Sequence, residues 1–343
     1  MVEALPERDV RWRPYTWISM LAGLAAGGGG LWIVSRNVSA REVIDAASSA
    51  NFSLLAAALA LVIFASWLRA VRWRGLFAED PSRLTVVGLW RIILIGQFIN
   101  VVLPVRAGEI SRPYLVRRRF GRDWWETGGT IALEKAFDGV AFALLLLMAS
   151  MVLPLPEAIE GLRFAIVIPA AGAAGALVAF ALGGASIVRH LERFGARGGW
   201  RARVFGGLAA FTRTFGALRR PSVAGRLLMQ SLGIWAIASI PNYLVMAALD
   251  MPIAPVSGLA ILIALQLGTA IASTPGNIGL FEVICVGILA AFGIERAPAL
   301  AYGVLLHVTA YSFPLVVGGV LTGVAIRDGL DPWRGATDGK AGG

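Results

Sequence analysis

The sequence predicts an all-α polytopic membrane protein of about six full spans plus two oppositely oriented re-entrant broken-helix hairpins. Three observations carry this. Hydrophobic residues fill 57% and charged residues 15% of the 343 positions, where a soluble domain carries about 25% charged residues. Apolar runs near the roughly 20 residues a helix needs to span hydrocarbon lie at 17–34, 52–68, 127–153, 164–187, 226–249 and 298–324. Two further apolar stretches, 86–119 and 256–292, are broken by proline and glycine. Nothing in this arrangement leaves room for a separate soluble catalytic domain.

The elements follow in order from charge. Net charge is +10, almost wholly from arginine, since Lys135 and Lys340 are the only lysines. In a membrane protein such an excess marks cytoplasmic loops and anionic headgroups, not nucleic acid. Residues 1–16 carry Arg8, Arg11 and Arg13 and read as a cytoplasmic segment before the run 17–34. Val38-Ser39-Ala40 has a cleavage-like look, but the run before it is longer than a signal peptide's core of roughly 7–15 residues. The loop 69–85 holds Arg69, Arg72, Arg74 and Arg83, and the loop 188–226 holds a further series from Arg189 to Arg226. The segments 154–163 and 250–255 hold almost no positive charge. The positive-inside rule puts the basic loops in the cytoplasm, with both termini, in the cytoplasmic (inner) membrane. Within 188–226 the apolar residues Val204, Leu208, Phe211 and Phe215 form one helical stripe, as expected of a helix lying on the inner leaflet. The tail 325–343, Gly-rich from 335, is expected to be disordered.

The stretch 86–104 leaves a basic loop and is followed by another basic cluster, Arg112 and Arg117 to Arg122. A hairpin that enters, breaks at Pro104 and returns along 109–119 reconciles these charges. The stretch 256–292 breaks similarly at STPGNIG, 273–279. Aligned on Pro104 and Pro275, an offset of 171 residues (275 − 104), the two stretches pair Gly108 with Gly279. Gln97 and Gln266 precede the breaks, and Glu109 and Glu282 follow. Three spans between the hairpins make them enter from opposite faces, the pattern of an inverted repeat around a polar cavity.

Ionisable groups concentrate at these breaks. Arg106, Glu109 and Arg112 suit a lipid headgroup site, or a pair that pins the hairpin. Pro104, Gly108, Pro275, Gly276 and Gly279 are the hinge positions, where backbone could approach a headgroup closely. Glu134 and Asp138 share a helix face at i, i+4, with Lys135 between them. Counted from Trp125 at about 1.5 Å per residue, Glu134 lies roughly 13 Å deep. Groups at that depth must face the interior, with Arg106 or Arg112 a natural partner, either as part of a site or as a salt-bridge knot joining this helix to the first hairpin. His307, near Tyr311, either titrates in a proton-coupled cycle or packs inertly. Asn100 and Asn277 are further candidates for the cavity wall; Gln97 and Gln266 either line it or join helices, and Asn242 and Tyr243 either line it or satisfy a kink after Pro241. Cys285, the one cysteine, excludes an internal disulfide and reads as packing. Trp67, Trp73, Trp90, Trp124 and Trp125 read as interface anchors. No metal cluster, nucleotide loop or nucleophile–base spacing stands out, so neither metal nor cofactor is expected.

Three ordered motifs then carry a resemblance. They are N-x-x-L-P-x-x-x-G-E-x-x-R from Asn100 to Arg112, L-E-K-x-x-D at 133–138, and S-x-P-G-N-I-G-x-x-E at 273–282. Together they resemble the flippase-like membrane domain of lysylphosphatidylglycerol synthases and its stand-alone relatives, over about 17–324 of this chain. The family usually has arginine where Lys135 stands and often glycine where Asn277 stands. The synthases add a soluble aminoacyl-transfer domain after the membrane part, without counterpart in these residues, so lipid lysinylation is not implied. What the resemblance implies is movement of a polar-headed lipid between leaflets, with broken helices forming the headgroup site at Asn100, Arg106, Glu109, Arg112, Glu134, Lys135, Asp138, Asn277, Glu282 and His307. The expected partner is a membrane lipid with an anionic or polar headgroup. The alternatives are a membrane subunit for a lipid-modifying or glycosyl-transferring enzyme, and an integral membrane headgroup enzyme. A homo-oligomer stays open.

Overall fold

A computed structural model describes residues 25, 28–32, 35–36 and 38–333, apart from 78–83, 104–106, 153–156, 197 and 272–273. Among the described residues the chain is helical, without strands. The expected segment 1–16, most of the run 17–34, Arg83, Pro104, Arg106 and Ser273 lie outside them. The principal helices are α1 (Ala40–Ser48), α2 (Phe52–Arg74), α3 (Val86–Val102), α4 (Gly108–Phe120), α5 (Trp124–Val152) and α6 (Glu157–Gly195). They continue with α7 (Gly199–Arg213), α8 (Pro221–Ala248), α9 (Ser257–Ile271), α10 (Leu280–Ala291) and α11 (Arg296–Arg327).

Local chemistry sets the ends. Asn51 Oδ1 accepts from the amides of Ser53 and Leu54 and starts α2. Asp123 Oδ1 does the same for Trp125 and Glu126 at the head of α5, and Pro221 opens α8 where its missing N–H costs nothing. Gly121, in the left-handed region at φ 69°, closes α4. Helix α1 is a departure from expectation. Ser39, read above as part of a cleavage-like end, caps α1 in a reciprocal box with Glu42.

Among the described residues three helices are long and apolar enough to cross a membrane: α2, α8 and α11. A fourth candidate is α6, bent by 66° between Phe180 and Leu182. The chain is therefore a multi-pass membrane protein. The expected loops prove largely helical. Helix α2 runs through Arg69 and Arg72 to Arg74, so these arginines are not in a loop. Glu134 and Asp138 on α5 meet the charge of Arg72, so the helix continues past it. Most of 188–226 is likewise the end of α6, then α7 and a 3-10 turn over Thr214–Arg219. The expected stripe divides. Phe215 is buried while Val204 and Leu208 are exposed, because α7 turns its small residues inward and Gly207 lies against the Trp125 ring. The tail also begins later than 325. Helix α11 continues to Arg327, and Trp333 packs edge-on against Phe98.

Both interrupted stretches fold back as helix pairs. In the first, Gly88 faces Phe120 and Gly96 faces Gly108, so α3 and α4 run antiparallel. The approach is tight: a Cβ on Gly108 would sit 1.8 Å from the Gly96 carbonyl oxygen. In the second, α9 and α10 flank a 3-10 turn, Pro275–Asn277, with Gly276, Asn277 and Gly279 all at positive φ. The tips meet: Val101, at the end of α3, lies 3.9 Å from where a Gly276 Cβ would be. One apolar core lies among α2 to α5 and α8, and a second among α8 to α11.

Candidate functional site

The deepest polar feature is a chain of charges on α2, α4 and α5. Arg72, near the end of α2, is 1% exposed. Its Nη1 donates to Asp138 Oδ1 and to Ser231 Oγ, and its Nη2 to Asp138 Oδ2 at 3.1 Å and Glu134 Oε1 at 3.2 Å. The second oxygen of Glu134 accepts from Arg112 Nη2 at 2.9 Å. The i, i+4 spacing of Glu134 and Asp138 makes this possible, since it presents both carboxylates to one guanidinium. Arg112 lies over the Trp73 ring, 4.0 Å from the centroid, a cation–π contact. Trp73 is fixed in turn by its Nε1–H donating to Thr130 Oγ1. Trp73 is thus fully buried beneath the site and is not the interface anchor that its sequence position suggested. From α8, Trp235 Nε1–H donates to Asp138 Oδ1 at 3.1 Å.

This network forms one wall of a cavity of about 360 Å³ between α2, α3, α4, α5, α8 and α9. Asn100, Glu109, Arg112, Glu134, Lys135 and Asp138 all line it, as do Gln97 and Gln266. Lys135 does not join Asp138, its i+3 neighbour. It reaches Glu109 on α4 at 2.7 Å, and both side chains stay partly open to the cavity. Asn100 lines the wall but is occupied, because its Oδ1 accepts the first amide of α4, from Gly108, at 2.8 Å.

Apart from Arg106, which lies outside the described residues, the remaining expected site residues form a separate cluster. Glu282 Oε2 accepts the Gly279 amide at 2.7 Å, and its Oε1 lies 2.6 Å from His307 Nδ1. His307 is flanked by the rings of Phe281 and Tyr311. Tyr311 OH accepts from Asn277 Nδ2 at 2.8 Å. Glu282, Asn277 and His307 are therefore brought to one another and not to the main cavity. Asn242 and Tyr243 are absent from its wall as well. Asn242 Nδ2 donates back to the Ala238 carbonyl one turn before it, and its own backbone carbonyl accepts from Tyr302 OH. Among the described residues no group of His, Cys, Asp and Glu has the arrangement of a metal site.

Residues 20–318 match the family described as the lysylphosphatidylglycerol synthase TM region. The chain belongs to this family. Among curated proteins it is 28% identical over 340 residues to a protein named glycosyltransferase AglD from Haloferax volcanii, covering 88% of this chain and 54% of that one. The chain thus spans about half the length of that relative. No solved structure matches it. In this family member, sequence reasoning found the carboxylates and Arg112 but missed Arg69, Arg72, Ser231 and Trp235. The signal was available in part: two carboxylates on one buried helix face require more than one cation, and Arg69 and Arg72 end an apolar run at i, i+3.

Proposed function

We propose that this chain is a lipid-translocating membrane protein that moves a polar-headed lipid between leaflets through the charged cavity. The observation that carries the reading is the cavity itself. Six ionisable side chains line it within a multi-pass membrane domain. Such groups are costly in a membrane interior and serve substrate paths more readily than scaffolding. The family description, which concerns enzymes of lipid modification, supports a lipid as the ligand.

In the full arrangement the run 17–34, α2, α5, α6, α8 and α11 span, with both termini in the cytoplasm of an inner membrane. Helix α5, 29 residues long, suffices at about 1.5 Å per residue. The pairs α3/α4 and α9/α10 are oppositely oriented re-entrant halves of an inverted repeat. The contact between Val101 and Gly276 at their tips supports this, as the midplane meeting of such halves would require. No nucleotide motif is present in the sequence, so transport runs downhill or with a coupled ion.

A second reading is favoured by the relative named glycosyltransferase AglD, since this chain aligns with about half of it. There the domain holds a lipid for a glycosyl-transferring or lipid-modifying partner without moving it across. Translocation in proteoliposomes separates the two. Headgroup-labelled lipids and a membrane-impermeant quencher compare the wild type with Glu109→Gln and Asp138→Asn. Transport predicts movement in the wild type and at least about a tenfold loss in both variants, the scale of one lost charged contact. A folded wild type that moves no anionic, aminoacylated or glycosylated lipid would overturn transport in favour of the second reading.

A further inference from the structure

A carboxylate follows each of the two breaks, and the two meet different cations. Glu109 pairs with Lys135 at 2.7 Å. Glu282 pairs with His307, Oε1 to Nδ1 at 2.6 Å, and among the described residues it has no other ion-pair partner. An ammonium ordinarily stays charged at neutral pH, whereas an imidazole changes charge between about pH 5 and 8. Two atoms this close share a proton, because two bare acceptors repel. The pair is neutral when the imidazole carries both its protons and holds one net negative charge when it carries one. Both side chains are nearly enclosed, Glu282 at 7% and His307 at 13% exposure. Glu134, equally enclosed, has two guanidinium groups to balance it. Glu282 has only the charge that His307 holds. A net charge in such a place is costly, so the second proton is the counter-ion that the described residues do not supply.

The titratable groups beside the pair are Tyr311, whose ring lies 4.7 Å from the imidazole, and Cys285 on α10, with Tyr302 beyond it. Charges on the packed helices lie elsewhere. Helix α9 has none, and the arginines of α2 and Arg226 of α8 stand at the opposite ends from Ala58 and Val245, which enter this core. Arg91 of α3, Arg36, Arg41, Glu42 and Asp45 around α1, and Asp250 and Glu295 in the connections are exposed. On α11 itself Arg296 and Arg327 are the terminal residues. His307 Nε2 has no hydrogen-bond partner among the described residues, so this nitrogen is where the second proton comes and goes.

The same pair governs a joint. Glu282 Oε2 holds the Gly279 amide at 2.7 Å, and Tyr311 OH accepts from Asn277 Nδ2 at 2.8 Å. These bonds fasten the turn in which Gly276, Asn277 and Gly279 all stand at positive φ, and His307 borders both Glu282 and Tyr311. Gly303, one turn before His307, lets α10 and α11 approach: a Cβ there would lie 3.3 Å from Glu282 Cα. A negative pair needs water around its carboxylate, and the turn must loosen to admit it. That turn bears on Val101 at the tip of the first hairpin.

We propose that Glu282 and His307 form a proton-binding site that fastens the tip of the second hairpin when His307 is doubly protonated and releases it when Nε2 gives its proton to water. The proton is then the ion coupled to lipid movement. This coupling rests on the transport reading above, whereas the site itself does not.

Hydrogen exchange of the purified full chain in nanodiscs tests the site, read on residues 274–282 and corrected for the intrinsic rate. As pH rises from about 5 to 8, the wild type should lose at least about tenfold in protection, the scale of one charge-assisted hydrogen bond. Residues 130–138, whose carboxylates are held by arginines, should stay constant. His307→Gln can still donate to Glu282 but does not titrate, and its protection should be flat. His190→Gln changes the other of the two histidines, exposed on α6, and should keep the wild-type step. That variant also decides the matter should His307→Gln fail to fold, since a histidine step that survives it is carried by His307. A wild type without a step, a step lost in His190→Gln, or one that survives in His307→Gln overturns the proton site. Coupling is read by lipid movement in proteoliposomes under pH differences of opposite sign. The wild-type rate should differ at least about fivefold between the two signs, and the His307→Gln rate should not differ. Equal wild-type rates with the exchange step in place overturn coupling and leave a pH-gated tip. No lipid movement at all, with the step in place, removes transport and leaves the proton site standing.

Discussion

Glu134→Gln is the substitution whose consequence the structure defines most closely. Glu134 is 6% exposed and shared between Arg72, 1% exposed, and Arg112, 7% exposed. The two arginines do not lose equally. Arg72 keeps both Asp138 oxygens and Ser231. Arg112 keeps the Trp73 ring alone, and its Nε already lacks an acceptor. Removing one member of a buried pair costs about 3–5 kcal/mol, because the other charge stays buried. The cation–π contact with Trp73 is present before and after the change and offsets nothing, while the introduced amide retains one acceptor oxygen for Arg112. The expected loss is therefore about 3 kcal/mol, carried almost entirely by Arg112. Reversible unfolding in mixed micelles measures it, and a double-mutant cycle tests the attribution. Arg112→Met alone should cost about as much as Glu134→Gln. The double variant should cost less than their sum by about 1–3 kcal/mol, since the stranded charge is then gone. A Glu134→Gln loss below about 0.5 kcal/mol, or simple additivity, would refute a buried, mutually dependent pair.

Other substitutions probe separate features. Glu109→Gln should alter stability by less than about 1 kcal/mol, because its pair with Lys135 is partly exposed. If it does so while lipid movement falls at least about tenfold, the pair belongs to the path; a stability loss as large as that of Glu134→Gln would make it structural. Gly108→Ala should prevent the α3/α4 hairpin from closing, given the 1.8 Å approach to the Gly96 carbonyl, and the readout is loss of the monodisperse folded fraction on size exclusion. Normal yield and full stability would show that the helices separate without difficulty. At the other tip Gly276 stands at φ 64°, with the Ile278 and Val101 side chains only at ordinary van der Waals distance from where a Cβ would sit. Gly276→Ala should therefore cost about 1–2 kcal/mol from backbone strain alone, seen as a lower unfolding midpoint; an unchanged midpoint would argue against the left-handed turn.

How much of this was legible beforehand can be followed residue by residue. The membrane class, the two broken stretches and the inward-facing Glu134 and Asp138 came from hydropathy, proline and glycine positions and the cost of charge in an apolar medium. These are local or one-dimensional quantities, and a sequence carries them directly. The hairpin hinge was likewise readable at Gly108, since a glycine beside a break calls for close backbone approach. The partner of each charge was not readable. Lys135 chose Glu109 over Asp138, Arg72 left its supposed loop to bind two carboxylates, and Trp73 left the interface to support Arg112. Nor did the alignment of the two broken stretches predict equivalence in chemistry. Glu109 faces the cavity, whereas Glu282 caps its own helix and meets His307. Each of these outcomes depends on which side chains two distant helices place within about 3 Å, the range over which a hydrogen bond forms. Helical periodicity fixes the face of one helix but not its rotation or height against another, and that is why the sequence could not tell Arg69, which lines the cavity beside Trp235, from Arg72, bound to Glu134 and Asp138.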